Sequence, residues 1–297
     1  MNLSYIHTDL AAECRDDAEA GGLSGVRYSE NEHGSLSISR IEILDEGGER
    51  ALGKPKGVYV TLTFPDLRYS EDLPSIRSAL AEQIRFLMDV LAPGAQTVLV
   101  VGLGNRRMIA DAVGPQTTER ILVTRHLRTL EPGLFADLGQ RAVAAIAPGV
   151  LADTGVEAAH LVKKTVEAVC PDLVIAVDAL AARHSDRLGC TVQLSGAGIA
   201  PGSGVGNARM ALSRDTLGVP VLALGVPTVV NSATLVYDAL EKAGVKELPE
   251  ALAEVLENQR RFFVTPKDCD EVVDGLCDLL AAALDAALAR GAKMDAG

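Results

Sequence analysis

Residues 97–115 read TVLVVGLGNRRMIADAVGP, and the parsing of this stretch decides the fold. Five apolar or β-branched residues, Thr97 to Val101, run up to Gly102 and Gly104. A run that short, with no polar alternation, predicts a strand buried on both faces. Strands of that kind belong to parallel sheets covered by helices on both sides. The residues after it must form the loop at the strand's carboxyl end, where open α/β sheets gather ligands and reacting groups. Asp111, seven residues beyond Gly104, is therefore the first side chain to weigh as chemistry.

Upstream, Ile76, Leu80, Ile84, Leu87 and Leu91 fall on one face of an amphipathic helix that Pro93-Gly94 ends. Downstream, residues 117–123 look helical, and 141–150 fit a short strand or a helix equally. A helix over 156–169 turns Leu161, Val162, Thr165, Val166 and Val169 inward, and Pro171 stops it. Leu173–Val177 is a second buried strand with Asp178 at its carboxyl end. Residues 190–194 read as a short strand, 209–217 as a helix, Val219–Val226 as a third apolar strand, and 248–290 as a mostly helical tail.

Nearer the N-terminus, 35–44 and 58–64 alternate apolar and polar residues, which predicts an antiparallel or edge pair, while 15–37 reads as loop. The expected fold is α/β: a mostly parallel central sheet with helices on both faces, plus a smaller N-terminal β layer. Residues 10–297 form one domain, with a small subdomain possible within 25–70.

The formal net charge of −12 argues against nucleic acid or an anionic membrane as a direct partner. Aromatics make up 3% of the chain and Trp is absent, so the core must be built from Ala, Val, Leu and Ile. Five scattered cysteines without a CxxC pair fit a reducing compartment. The first residues lack the pattern of a signal peptide, and no apolar run approaches the roughly 20 residues of a membrane span. A cytoplasmic protein is expected.

Parallel strands present their carboxyl ends along one edge, so Asp111 and Asp178 can converge. Two carboxyls in reach of one another do not both ionise easily; one keeps a proton to polarise a carbonyl while the other activates water. The competing reading is that each Asp caps a following helix. Gly102-Leu-Gly104-Asn105 invites a dinucleotide site, but Arg107 occupies the place of the third glycine and no acidic strand end comes after it. The loop 201–207, PGSGVGN, lacks the Lys-Ser/Thr of a phosphate loop and is either a tight turn or a cradle of backbone N–H groups. His126 and His184 lie near the same edge and, with the two aspartates, form a weaker candidate metal site without established ligand spacing.

Taken together, HTDLAAE (7–13), ALGKPKGVYVTL (51–62), VGLGN…DAVGP (101–115), LVTRHL (122–127), VCPDLVIAVDALAAR (169–183), GIAPGSGVGN (198–207) and LGVPVLALGVPTVV (217–230) resemble the germination protease family of spore-forming bacteria. The resemblance implies an endopeptidase for small acid-soluble spore proteins, located in the spore core. It implies an atypical aspartic-type hydrolase with Asp111 and Asp178 as the catalytic pair, no cofactor, and a fold related to hydrogenase-maturation proteases. It further implies a homotetramer made as a zymogen, with trimming at Asp9–Leu10 and residues 1–9 as propeptide. Gly102, Gly104, Asn105, Gly202, Ser203, Gly204, Gly206 and Asn207 become the expected substrate or oxyanion loops. Two positions depart from the family pattern: Arg106 stands where Trp is common, and Gly196-Ala197 where Asp-Thr is common.

Overall fold

The computed structural model describes residues 8–18, 23–202, 209–245, 250–258 and 262–290. Nine strands join in one sheet: β1 (Val26–His33), β2 (Leu36–Ile43), β3 (Gly57–Thr63), β4 (Thr97–Gly102), β5 (Ala142–Ile146), β6 (Leu173–Ala182), β7 (Thr191–Ser195), β8 (Val221–Asn231) and β9 (Phe263–Val264). Their order is β1-β2-β3-β7-β8-β6-β4-β5, with β9 paired to β8. The run β8-β6-β4-β5 is parallel throughout, whereas β1, β2, β3 and β7 continue it antiparallel. The expected N-terminal β layer is thus an extension of the same sheet.

Alternation along the strands sorts the core into two faces. Leu173, Ile175, Val177, Val98, Val100, Leu222 and Leu224 face one way, under the helices Leu73–Leu91 and Cys269–Leu288. Leu99, Val101, Val174 and Ala176 face the other, under Ala159, Val162 and Val166 of the helix Ala158–Val169. Farther along this second face, Leu10 packs on Leu180, Ala182 and Val230, and Ala11 on Ile41, Ile43 and Tyr59.

Several elements differ from the sequence reading. β6 continues past Val177 to Ala182, so Asp178 stands within the strand and not at its end. The predicted helix at 117–123 begins earlier, as Val113–Arg120, and residues 141–150 resolve into β5. Helix over 209–217 shrinks to Arg214–Leu217, because Leu212 is held in a bridge to Ile199. Within the expected 15–37 loop lies β1, where only Val26 and Tyr28 are half-buried and the last five residues are all exposed, too short an alternation to read. The helix Ala11–Ala18 precedes it.

Candidate functional site

β4 ends against the start of the helix Val113–Arg120 with no room between the backbones. A Cβ on Gly102 would come 2.2 Å from the Gly114 oxygen, and one on Gly114 would come 2.3 Å from the Leu103 oxygen and 2.4 Å from that of Val177. The intervening loop closes in a single 3₁₀ turn, Ile109–Asp111. Thr228 donates its hydroxyl to the Ala110 carbonyl (2.6 Å), tying that turn to β8. Asp111 then points back toward the strand end, and its Oδ2 accepts the Asn105 N–H at 2.8 Å. Gly104 is required here: its φ is +111°, and a Cβ would sit 2.1 Å from the Asp111 carbonyl oxygen.

Asp178 projects from β6 onto the second face and is 5% exposed. Its Oδ1 accepts the N–H of Ala179 at 3.0 Å. Burial holds this carboxyl well above the usual carboxylate range, and the Asp111 carboxylate acts on it in the same direction, as does Asp9 more weakly. Asp111 is itself raised by burial, against the pull of the Asn105 N–H. Asp178 therefore feels Asp111 as well as its own burial, and it is the one suited to keep a proton.

Neither aspartate caps a helix. Asp178 is followed by four more strand residues, and the N-cap of the helix after Asp111 is Ala112. A buried carboxyl without a capping role is a stability burden with a predictable pH dependence. An unfolded Asp titrates near about 3.9, and a raised folded value means that the native state holds the proton longer. Native stability conferred by this group is then lost as pH rises above about 4. Asp178→Asn removes that slope. Thermal melts are expected to show the variant gaining on the parent as pH rises, by about 2–4 °C for each kcal/mol relieved; a gap that stays constant with pH would contradict the assignment.

The other expected residues take varied positions. Gly102 is locked in β4, and the Asn105 N–H is engaged by Asp111, so it does not face outward for an oxyanion. Gly202 sits in a turn with φ +73°; Ser203, Gly204, Gly206 and Asn207 lie outside the described residues. His126 stands exposed before the short helix Leu127–Leu130. His184 contacts Asp238 through Nδ1 at 2.9 Å. Among the described residues no three His, Cys, Asp or Glu side chains gather where they could hold a metal ion.

Asp9 and Leu10 lie at the same end of the sheet. Asp9 donates its N–H to the Ala181 oxygen and accepts the Ala181 N–H on Oδ2, both at 2.9 Å. Leu10 is fully buried. Glu13, also fully buried, accepts the N–H groups of Arg183 and His184 at 2.9 Å each and the hydroxyl of Thr8. Sequence reasoning passed over Glu13 and Gln193. For Gln193 the signal was a polar residue between Val192 and Leu194 in a short strand; for Glu13 there was none.

A family model described as "Germination protease" matches residues 6–262. The germination protease of Caldanaerobacter subterraneus subsp. tengcongensis is 40% identical, over 96% of this chain and 95% of that protein. Those of Clostridium acetobutylicum (36%, covering 96% of each) and Bacillus subtilis (41%, covering 81% of this chain and 67% of that one) are also similar. The [NiFe] hydrogenase maturation protease HycI of Thermococcus kodakarensis superposes with a TM-score of 0.34 at 16% identity, over 67% of this chain and 98% of that one, a likeness too loose to carry weight. No helix among the described residues is long and apolar enough to cross a membrane.

Proposed function

This chain belongs to the germination protease family, and so to the proteases that act in germination, and we propose that it cleaves small acid-soluble spore proteins by water attack between Asp111 and Asp178. The observation that carries this reading is the burial of Asp178 beside a second raised carboxyl. Protonated Asp178 donates to the scissile carbonyl oxygen. Ionised Asp111, kept partly anionic by the Asn105 N–H, takes the proton of the attacking water. The roles exchange for release of the amine. The chain works as a homotetramer in the spore core and starts as a zymogen trimmed at Asp9–Leu10; these features rest on the family resemblance.

The test is incubation of the purified protein with an isolated small acid-soluble spore protein, with and without EDTA, and mapping of the products. Cleavage after an acidic residue at unchanged rate in EDTA is the expected result. Activity lost in EDTA and restored by a divalent cation would replace the aspartate pair with a metal mechanism. An inert substrate at every pH would remove the substrate assignment.

A further inference from the structure

The side chain of Gln193 spans Leu10 and contacts the peptide groups on both sides of it. Its Nε2 donates to the Asp9 carbonyl oxygen at 3.1 Å, and its Oε1 accepts the Ala11 N–H at 2.6 Å. The Nε2 contact falls on the carbonyl of the bond Asp9–Leu10, and the Oε1 contact on the N–H of the next peptide group. Gln193 is only 7% exposed, so both hydrogen bonds form away from bulk water, where they are strong and their geometry is fixed.

Sheet register relates Gln193 to the aspartates. Gly225 of β8 pairs with Gln193 of β7 on one side and with Asp178 of β6 on the other. Side chains in register across neighbouring strands share a face. Gln193 and Asp178 therefore flank a residue without a side chain, two strand spacings or about 10 Å apart between Cα atoms. Leu180 lies over the gap, since a Cβ on Gly225 would come 2.3 Å from its Cδ1, and Leu10 packs on Leu180. Asp9 completes the span: its carbonyl is held by Gln193 while its carboxylate reaches the Ala181 N–H and acts on Asp178.

The geometry points to Gln193 as the catalytic oxyanion donor and register clamp for hydrolysis of the Asp9–Leu10 bond, a role that rests on the proposal that this chain trims its own N-terminus there. In that reaction the water oxygen bonds to the Asp9 carbonyl carbon, the C–N bond breaks, Asp9 leaves with a new carboxyl group, and the Leu10 nitrogen takes the proton; nothing is oxidised or reduced. Negative charge passes through the Asp9 carbonyl oxygen, the atom that the Nε2–H already contacts. A preplaced donor at such an oxygen contributes about 10²-fold to the rate. The contact from Oε1 to Ala11 fixes which bond receives it.

The test compares the full chain with Q193A and Q193E, following trimming by intact-mass measurement and by sequencing of the new N-terminus. Q193A is expected to trim at Asp9–Leu10 about 10²-fold more slowly, or at a displaced bond. Q193E guards against a merely folding-related loss. Its ionised carboxylate cannot donate to the Asp9 oxygen, whereas the protonated form carries the same donor and acceptor as Gln. The Q193E rate divided by the parent rate at the same pH is therefore expected to rise as pH falls. Q193A trimming at the parent rate and bond, or a Q193E ratio independent of pH, would overturn the role of Gln193. A parent chain that never breaks this bond under conditions where it cleaves a spore protein would instead remove the trimming proposal, and the role of Gln193 with it.

Discussion

Asp178→Asn is expected to lower cleavage of a small acid-soluble spore protein by about 10³-fold or more, with the fold retained. Asn has the size of Asp, and its Oδ1 can still accept the Ala179 N–H seen at 3.0 Å. What it loses is the exchangeable proton of a carboxyl whose burial favours the protonated form. Asp111→Asn is expected to do comparable damage for the opposite reason, because it removes the base while its carbonyl oxygen preserves the Asn105 contact. Initial rates of the two purified variants, beside circular dichroism to certify folding, make the check. Full activity in either one would dismantle the pair. The parent is expected to lose activity on the alkaline side as the proton leaves Asp178.

Gly114→Ala is the second large effect, and it acts on structure first. A Cβ at this position meets three backbone atoms, the Leu103 oxygen at 2.3 Å, the Val177 oxygen at 2.4 Å and the Leu103 nitrogen at 2.5 Å. Backbone cannot swing aside as a long side chain can, so the helix Val113–Arg120 must lift from β4 and β6. Overpacking of a core typically costs about 1–3 kcal/mol and occasionally more; a clash with two strands belongs at or above the upper end. The lift also strains the Leu103-to-Val177 hydrogen bond (2.8 Å) and carries Asp111 away from Asp178. Chemical denaturation should show a reduced midpoint, and residual cleavage should fall further than the folded fraction does. A variant as stable and as active as the parent would mean that the close approach of helix to strand is not needed.

Much of the fold, and the placement of the candidate site, was legible in the chain itself. β4 matches its sequence reading from Thr97 to Gly102 because both faces are buried and every residue is apolar or small. The helix Leu73–Leu91 follows from its spacing, with Ile76, Leu80, Ile84 and Leu87 all buried. Asp111 and Asp178 were found by following strands to their ends, although β6 goes five residues farther than its most apolar run. That extension depends on β8 pairing as far as Ala182, a long-range contact with no local trace. β1 was missed because the last five residues of this edge strand are all exposed and show no period. The uses of Glu13 and Gln193 were hidden for a related reason: each binds backbone far away in sequence, and the chain does not announce such partners.

The part of β6 beyond Val177 also bears on how the protein behaves in the tube. β4 pairs with β6 only as far as Val177, so on that side the last residues of β6 form an open ladder, and Asp9 occupies the N–H and C=O of Ala181. Loss of Asp9 would hand those two groups to water or to any extended chain that arrives. An unpaired strand edge is a template for association. If the proposed trimming at Asp9–Leu10 takes place, the trimmed form is expected to be the less soluble one on storage, because Asp9 is what covers that stretch of the strand edge.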